Sequence, residues 1–124
     1  MNDETTPSDF LELRASIRKF ATERDWEKFH TPKNLASGIC IEAAELLEPF
    51  QWLKTGDRSE LGLAKLAHVQ HEVADVLIYL VRLADTLDID LMHAVNEKLA
   101  LNRQKYPAEK VRGDSRKYDE YENE

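Results

Sequence analysis

Residues 73–84 would be apolar on almost every side if wound into a helix. Such a helix cannot keep a wet face, so it must be covered all round, by its own chain or by a neighbouring subunit. The whole chain has only 124 residues, enough for one domain with one core. Four helices in a chain this short leave too little surface to cover every apolar face, so an all-α, four-helix-bundle-type fold completed by oligomerisation is expected.

Local signals place the helices. Thr6, Pro7, Ser8 and Asp9 combine a capping hydroxyl, a proline tolerated in a first turn, and an acid near the positive end of the helix dipole. The first helix should run from there to about Trp26, with Phe10, Leu13, Ile17 and Phe20 on one face. Thr31 and Pro32 repeat the start signal, and the second helix should continue toward Leu53, with Gly56 ending it. Pro49 interrupts it, because its ring clashes with the Glu45 carbonyl and offers that carbonyl no donor, so a break is expected near Glu48. A third helix spans about Ser59 to Leu87, and Asp90 caps a fourth that carries Leu91, Val95, Leu99 and Leu101 until Pro107 stops it. The domain is accordingly placed at residues 1–107, with 108–124 a charged tail, partly mobile unless pinned. No strand-like alternation or internal repeat is present.

Two helices carry acids where apolar residues belong. Glu42 occupies a slot in the series Leu35, Ile39, Glu42, Leu46, and Glu45 follows three residues later, about 60° round the helix. The third helix repeats this with Glu72, in the series Val69, Glu72, Val76, Tyr79, and with Asp75. If the two helices pack face to face, four carboxylates meet in a low-dielectric site and must protonate or bind a cation. All-oxygen ligands favour Mg²⁺, with Mn²⁺ a possible substitute, and Mg²⁺ keeps positions for water and substrate phosphate. Phosphate chemistry follows.

Composition narrows the classes. Lys plus Arg number 17 against 24 Asp plus Glu, a net charge of −7, which argues against a nucleic-acid partner. The longest unbroken apolar run is residues 76–81, far short of a membrane span, and Met1 to Glu4 lack the basic and apolar segments of an export signal. Cys40 is the one cysteine, within an apolar helical pattern where it reads as a small buried hydrophobe. A reducing, cytoplasmic setting with no membrane role is expected.

The string Glu42-Ala-Ala-Glu45-Leu-Leu-Glu48, then Phe50-Gln51-Trp52 and Glu72-Val-Ala-Asp75-Val-Leu-Ile-Tyr79-Leu-Val, resembles the MazG-like all-α NTP pyrophosphatases, and within them most the dCTP pyrophosphatase branch. The likeness extends through Phe20-Ala21, residues 23–27, Phe29-His30, Pro32 and Asn34, and resumes at Lys98, Asn102-Arg103, Tyr106-Pro107 and Ser115-Arg116-Lys117-Tyr118. It implies attack of metal-activated water on the α-phosphorus of a nucleoside triphosphate, releasing nucleoside monophosphate and pyrophosphate, with a dCTP-like dNTP as substrate and cleansing of the nucleotide pool as the role. By motif, Glu42, Glu45, Glu72 and Asp75 would ligate the metal. Which acid takes the water proton stays open among these and Glu48, so Glu45, Glu48 and Asp75 are the catalytic candidates. Lys98, Asn102 and Arg103 match positions facing the triphosphate, while Trp26, His30, Trp52 and Tyr79, with Asn34 nearby, would form an aromatic cage for the base. His68, His71 and His93 match no family site. The chain departs from the pattern at Ile17, where eukaryotic dCTP pyrophosphatases carry a histidine, and at Pro49, which replaces a helix-compatible residue. A homodimer, or the homotetramer this family commonly forms, is the implied assembly.

Three other readings compete. A non-enzymatic helical oligomerisation module would use the acids only for solubility. A di-iron carboxylate bundle wants Glu-x-x-His on two helices, and this chain has only Glu27-Lys-Phe-His30. An HD-type metallohydrolase needs a His-Asp dipeptide, which does not occur.

Overall fold

The computed structural model describes residues 6–116 and 118–120; Lys117 and residues 121–124 of the expected tail, with Met1 to Glu4, lie outside them. Every regular element among the described residues is helical, as expected. The chain divides into two compact units, Met1–Ile89 and Asp90–Glu124.

In the first unit, α1 spans Phe10–Glu23. Asp9, rather than a hydroxyl, is its N-cap and accepts from the Glu12 amide at 2.9 Å. The Glu12 carboxylate reaches back to the Ser8 amide and hydroxyl, both at 2.7 Å, and Pro7 precedes the helix instead of sitting in its first turn. Helix α1 stops short of the expected Trp26 because Asp25 adopts φ 54, the left-handed conformation that closes a helix. The Trp26 amide then returns to the Ala21 carbonyl at 3.0 Å. A 3-10 turn, Glu27–Phe29, leads to α2, Pro32–Leu47, capped by the Thr31 side chain with Pro32 in the first turn, as expected.

Pro49 breaks this helix at Glu48, again as expected, so α2 ends at Leu47 and not near Leu53. The chain tightens into a 3-10 turn, Glu48–Phe50, and the Glu48 amide donates to the Glu45 carbonyl that Pro49 cannot serve. Helix α3, Arg58–Thr86, starts at an Asp57 cap and is interrupted at Gly62, whose φ of 71 and ψ of 173 suit only glycine. The continuous third helix expected from periodicity is therefore two segments. Helix α2 packs along α3, and α1 also contacts it.

Among the described residues, Ala21, Leu35, Leu61, Val81 and Ala84 are the buried apolar ones. Within residues 73–84, Val73, Leu77, Ile78 and Leu80 stay exposed, so the described residues of the first unit do not supply the all-round cover that the segment needs. Cys40 is exposed, contrary to its reading as a buried hydrophobe, because it falls on the outer side of α2.

In the second unit, Asp90 caps α4, Leu91–Lys105, accepting from the His93 amide at 3.0 Å, and the helix ends before Pro107 as expected. Beyond it lie a short helix α5, Ala108–Val111, and a 3-10 turn, Tyr118–Glu120, so the charged tail carries some regular structure. No helix among the described residues is long and apolar enough to cross a membrane.

Candidate active site

The α2–α3 contact brings together the acids that interrupt the two apolar stripes. One carboxylate oxygen from each of Glu42, Glu45 and Glu72 lies within 4.8 Å of the others. Glu72 is only 8% exposed, and Glu42 and Glu45 are half-buried. The Oε2 atoms of Glu42 and Glu72 are sealed from solvent without a hydrogen-bond partner. A buried polar atom left in this way costs about 1–3 kcal/mol. Burial, then the neighbouring Glu72 and Glu45 carboxyls and the Asp75 charge, push Glu42 up to about 7. The proton or cation that this cluster requires has an all-oxygen donor set, which suits a hard divalent ion.

The other candidates divide. Asp75 is half-buried one turn beyond Glu72 and acts on Glu42 through its charge, but it is outside the group of three converging oxygens. Glu48 is exposed on the 3-10 turn and also outside that group. His68 Nε2 stands 3.8 Å from Glu72 Oε1, a neighbour that the motifs did not point to.

Of the expected aromatic cage, the structure brings two members into contact. Trp26 meets His30 edge-on with ring centroids 6.4 Å apart, and Phe20 meets Trp26 likewise at 5.6 Å. Trp52 is 88% exposed and makes no ring contact with them. Tyr79 is half-buried against Gly38 of α2. Asn34 Nδ2 donates to the Phe29 carbonyl at 3.0 Å, so this amide ties down the turn before α2. On α4, Lys98 and Arg103 are exposed and Asn102 is half-buried.

Sequence reasoning missed a polar chain beside this row. Arg82, 7% exposed, donates Nε–H to His30 Nδ1 at 3.1 Å. Its guanidinium also lies 3.5 Å from Asp85, whose carboxylate accepts from Arg18 Nε at 2.9 Å. The Arg18 hydrogen bond, opposed by burial, holds Asp85 below the usual carboxylate range. Burial, then the Arg82 charge, hold His30 below its ordinary value, with Glu27 opposing. An ionisable residue within an apolar run was the available signal, the same one that exposed Glu42 and Glu72.

The sequence has clear relatives. The MazG-like family matches residues 38–121. The dCTP pyrophosphatase 1 of Homo sapiens is 45% identical over 119 residues, covering 94% of this chain and 68% of the relative. That of Rattus norvegicus is 43% identical over 117 residues, covering 93% and 67%. A crystal structure of a pyrophosphatase from Archaeoglobus fulgidus superposes with a TM-score of 0.74 at 43% identity, covering 86% of this chain and 99% of that one. With its acid pairs on two adjoining helices and these matches across most of its length, the chain belongs to the MazG-like family.

Proposed function

We propose that this chain hydrolyses nucleoside triphosphates to monophosphate and pyrophosphate at the α2–α3 acid cluster, with a dCTP-like deoxynucleotide as preferred substrate and Mg²⁺ as the cation. The observation that carries the assignment is the pair of orphaned carboxylate oxygens, Glu42 Oε2 and Glu72 Oε2, within one cluster of acids from two helices. Acids kept only for solubility would face water.

Glu42, Glu45, Glu72 and Asp75 would hold the ion. When bound, it would neutralise phosphate charge and ease deprotonation of the attacking water. Glu45 and Asp75, one turn beyond Glu42 and Glu72, are the acids we assign to receive the proton; Glu48, exposed on its turn, is the weaker candidate. Trp26 offers a partly exposed indole for stacking, and His30 a polar edge beside it. Tyr79 and Trp52 belong to the same proposal as base contacts, Asn34 as support for the loop before α2, and Lys98, Asn102 and Arg103 as triphosphate contacts.

The exposed apolar residues of α3 support assembly into a homodimer or homotetramer, the acidic composition supports a role without nucleic acid, and the lone Cys40 fits a reducing, cytoplasmic setting. Pyrophosphate release from a panel of NTPs and dNTPs, with and without Mg²⁺, tests the function. The expected result is cation-dependent release with dCTP among the best substrates. Absence of release from every nucleotide in the presence of Mg²⁺ would overturn it.

A further inference from the structure

We propose that Arg82 is a positioning residue that fixes His30 with its proton on Nε2, so that His30 reads a hydrogen-bond acceptor on the substrate's base. The base-reading half rests on the function proposed above. The geometry that motivates it does not.

An arginine Nε–H can only donate, since the guanidinium never gives up its proton in a folded protein. The atom it meets 3.1 Å away, His30 Nδ1, must therefore present a lone pair. A neutral imidazole whose Nδ1 is an acceptor carries its one proton on Nε2. A doubly protonated His30 would set an N–H against the Arg82 N–H, beside a full positive charge in a largely buried place.

Arg82 is itself held. Its guanidinium lies 3.5 Å from Asp85, and Arg18 grips the same carboxylate through both Nε and Nη2. Asp85 of α3 and Arg18 of α1 thus fix the donor that sets the His30 tautomer. Among the described residues no acceptor takes the His30 Nε2 proton. His30 stands edge-on to Trp26, whose indole is partly exposed. A base stacked on Trp26 would then meet a donor at its edge. A ring nitrogen or a carbonyl oxygen satisfies that donor, whereas an exocyclic amine does not.

Two substitutions separate this role from a structural ion pair. Arg82→Gln places an amide nitrogen where Nε stands and loses the contact with Asp85. Arg82→Met loses the same contact and places a methyl group there. Asp85 keeps Arg18 in both. In ¹⁵N NMR of the full chain above pH 7, wild type and Arg82→Gln should show His30 almost wholly as the Nε2–H tautomer, and Arg82→Met should gain a measurable share of the Nδ1–H form. With Mg²⁺ and the best nucleotide of the panel, KM should rise about tenfold in Arg82→Met, the effect of one net hydrogen bond. Its kcat should stay within about twofold, and Arg82→Gln should restore KM.

Equal changes of KM in the two variants, or an unaltered His30 spectrum in Arg82→Met, would overturn the inference. The wild-type spectrum decides even if neither variant folds, because a His30 with its proton on Nδ1, or doubly protonated at pH 7, excludes the proposed tautomer. Wild type that releases no pyrophosphate from any nucleotide marks failure of the function reading and removes base reading with it. The NMR comparison would still show whether Arg82 sets the tautomer.

Discussion

The ring of Tyr79 lies so close to the backbone of Gly38 that a Cβ added there would stand 2.6 Å from Tyr79 Cε1 and 3.0 Å from Cζ. Gly38 is inside α2, where glycine costs about 1 kcal/mol relative to alanine. Close approach of the Tyr79 ring is the compensating contact. Gly38→Ala should therefore move Tyr79 while improving the helix. The expected outcome is a melting temperature within a few degrees of wild type together with a severalfold higher KM for the nucleotide. Thermal melts and steady-state kinetics on the same preparation check this; an unchanged KM would remove Tyr79 from the base site.

Removing one acid from the cluster should loosen nothing that holds the cation-free fold together. Glu45→Ala or Asp75→Ala relieves repulsion on Glu42, so the cation-free variants should be as stable as wild type or more so. Both should lose turnover. Wild type should gain stability with Mg²⁺, by about 2.7 kcal/mol when the ion is a hundredfold above its Kd, and the variants should gain much less. Thermal melts across an Mg²⁺ titration read all three proteins. A large loss of stability in the variants without Mg²⁺ would instead identify these carboxylates as partners in structural ion pairs.

Local chemistry made much of the architecture legible before any coordinates. The Thr31–Pro32 start, the Pro49 break and the Asp90 cap each follow from one or two residues whose backbone preferences dominate their surroundings. Helix α1 ended early because Asp25 takes a left-handed conformation that a non-glycine residue adopts only when its context favours it. Gly62 was overlooked for the opposite reason, since an isolated glycine in a helical pattern is usually tolerated, and here it interrupts α3. At the candidate site, Glu42 and Glu72 were readable because charge in an apolar stripe is costly, and Glu45 because it follows Glu42 at three residues. Trp52 carried no such physical signal and is found largely in solvent.

The ion pair between Asp85 and Arg18 sets a pH dependence whose sign is fixed. Asp85 is held below its ordinary range, so the folded state binds its proton more weakly than the unfolded chain does. Its stabilisation is complete above the unfolded value, near pH 4, and is lost as pH falls through the lower folded value. Asp85→Asn should cost about 2 kcal/mol at pH 7, the scale of a charged hydrogen bond, because it leaves the buried Arg82 without its carboxylate. That difference should shrink when the pH is lowered from 7 to well below 4, as Asp85 takes up its proton. Urea unfolding at both pH values measures it, and a gap that stays constant would mean that packing, not charge, accounts for the loss.

Val73, Leu77 and Leu80 follow one another on α3 at steps of four and three, which is one face of a helix, and all three are exposed. Ile78 beside them is exposed as well. A contiguous apolar face of this kind is costly in water, and a second copy of the chain covers it without any new chemistry. The protein should therefore sediment as a dimer or larger, with a melting temperature that rises with protein concentration. Leu77→Glu places a charge at the middle of the face. It should shift the population to monomer and lower the melting temperature at high concentration, because both copies would then bury an unpaired carboxylate. Sedimentation of wild type as a monomer at tens of micromolar, or a Leu77→Glu variant that assembles as wild type does, would leave the face to some other partner.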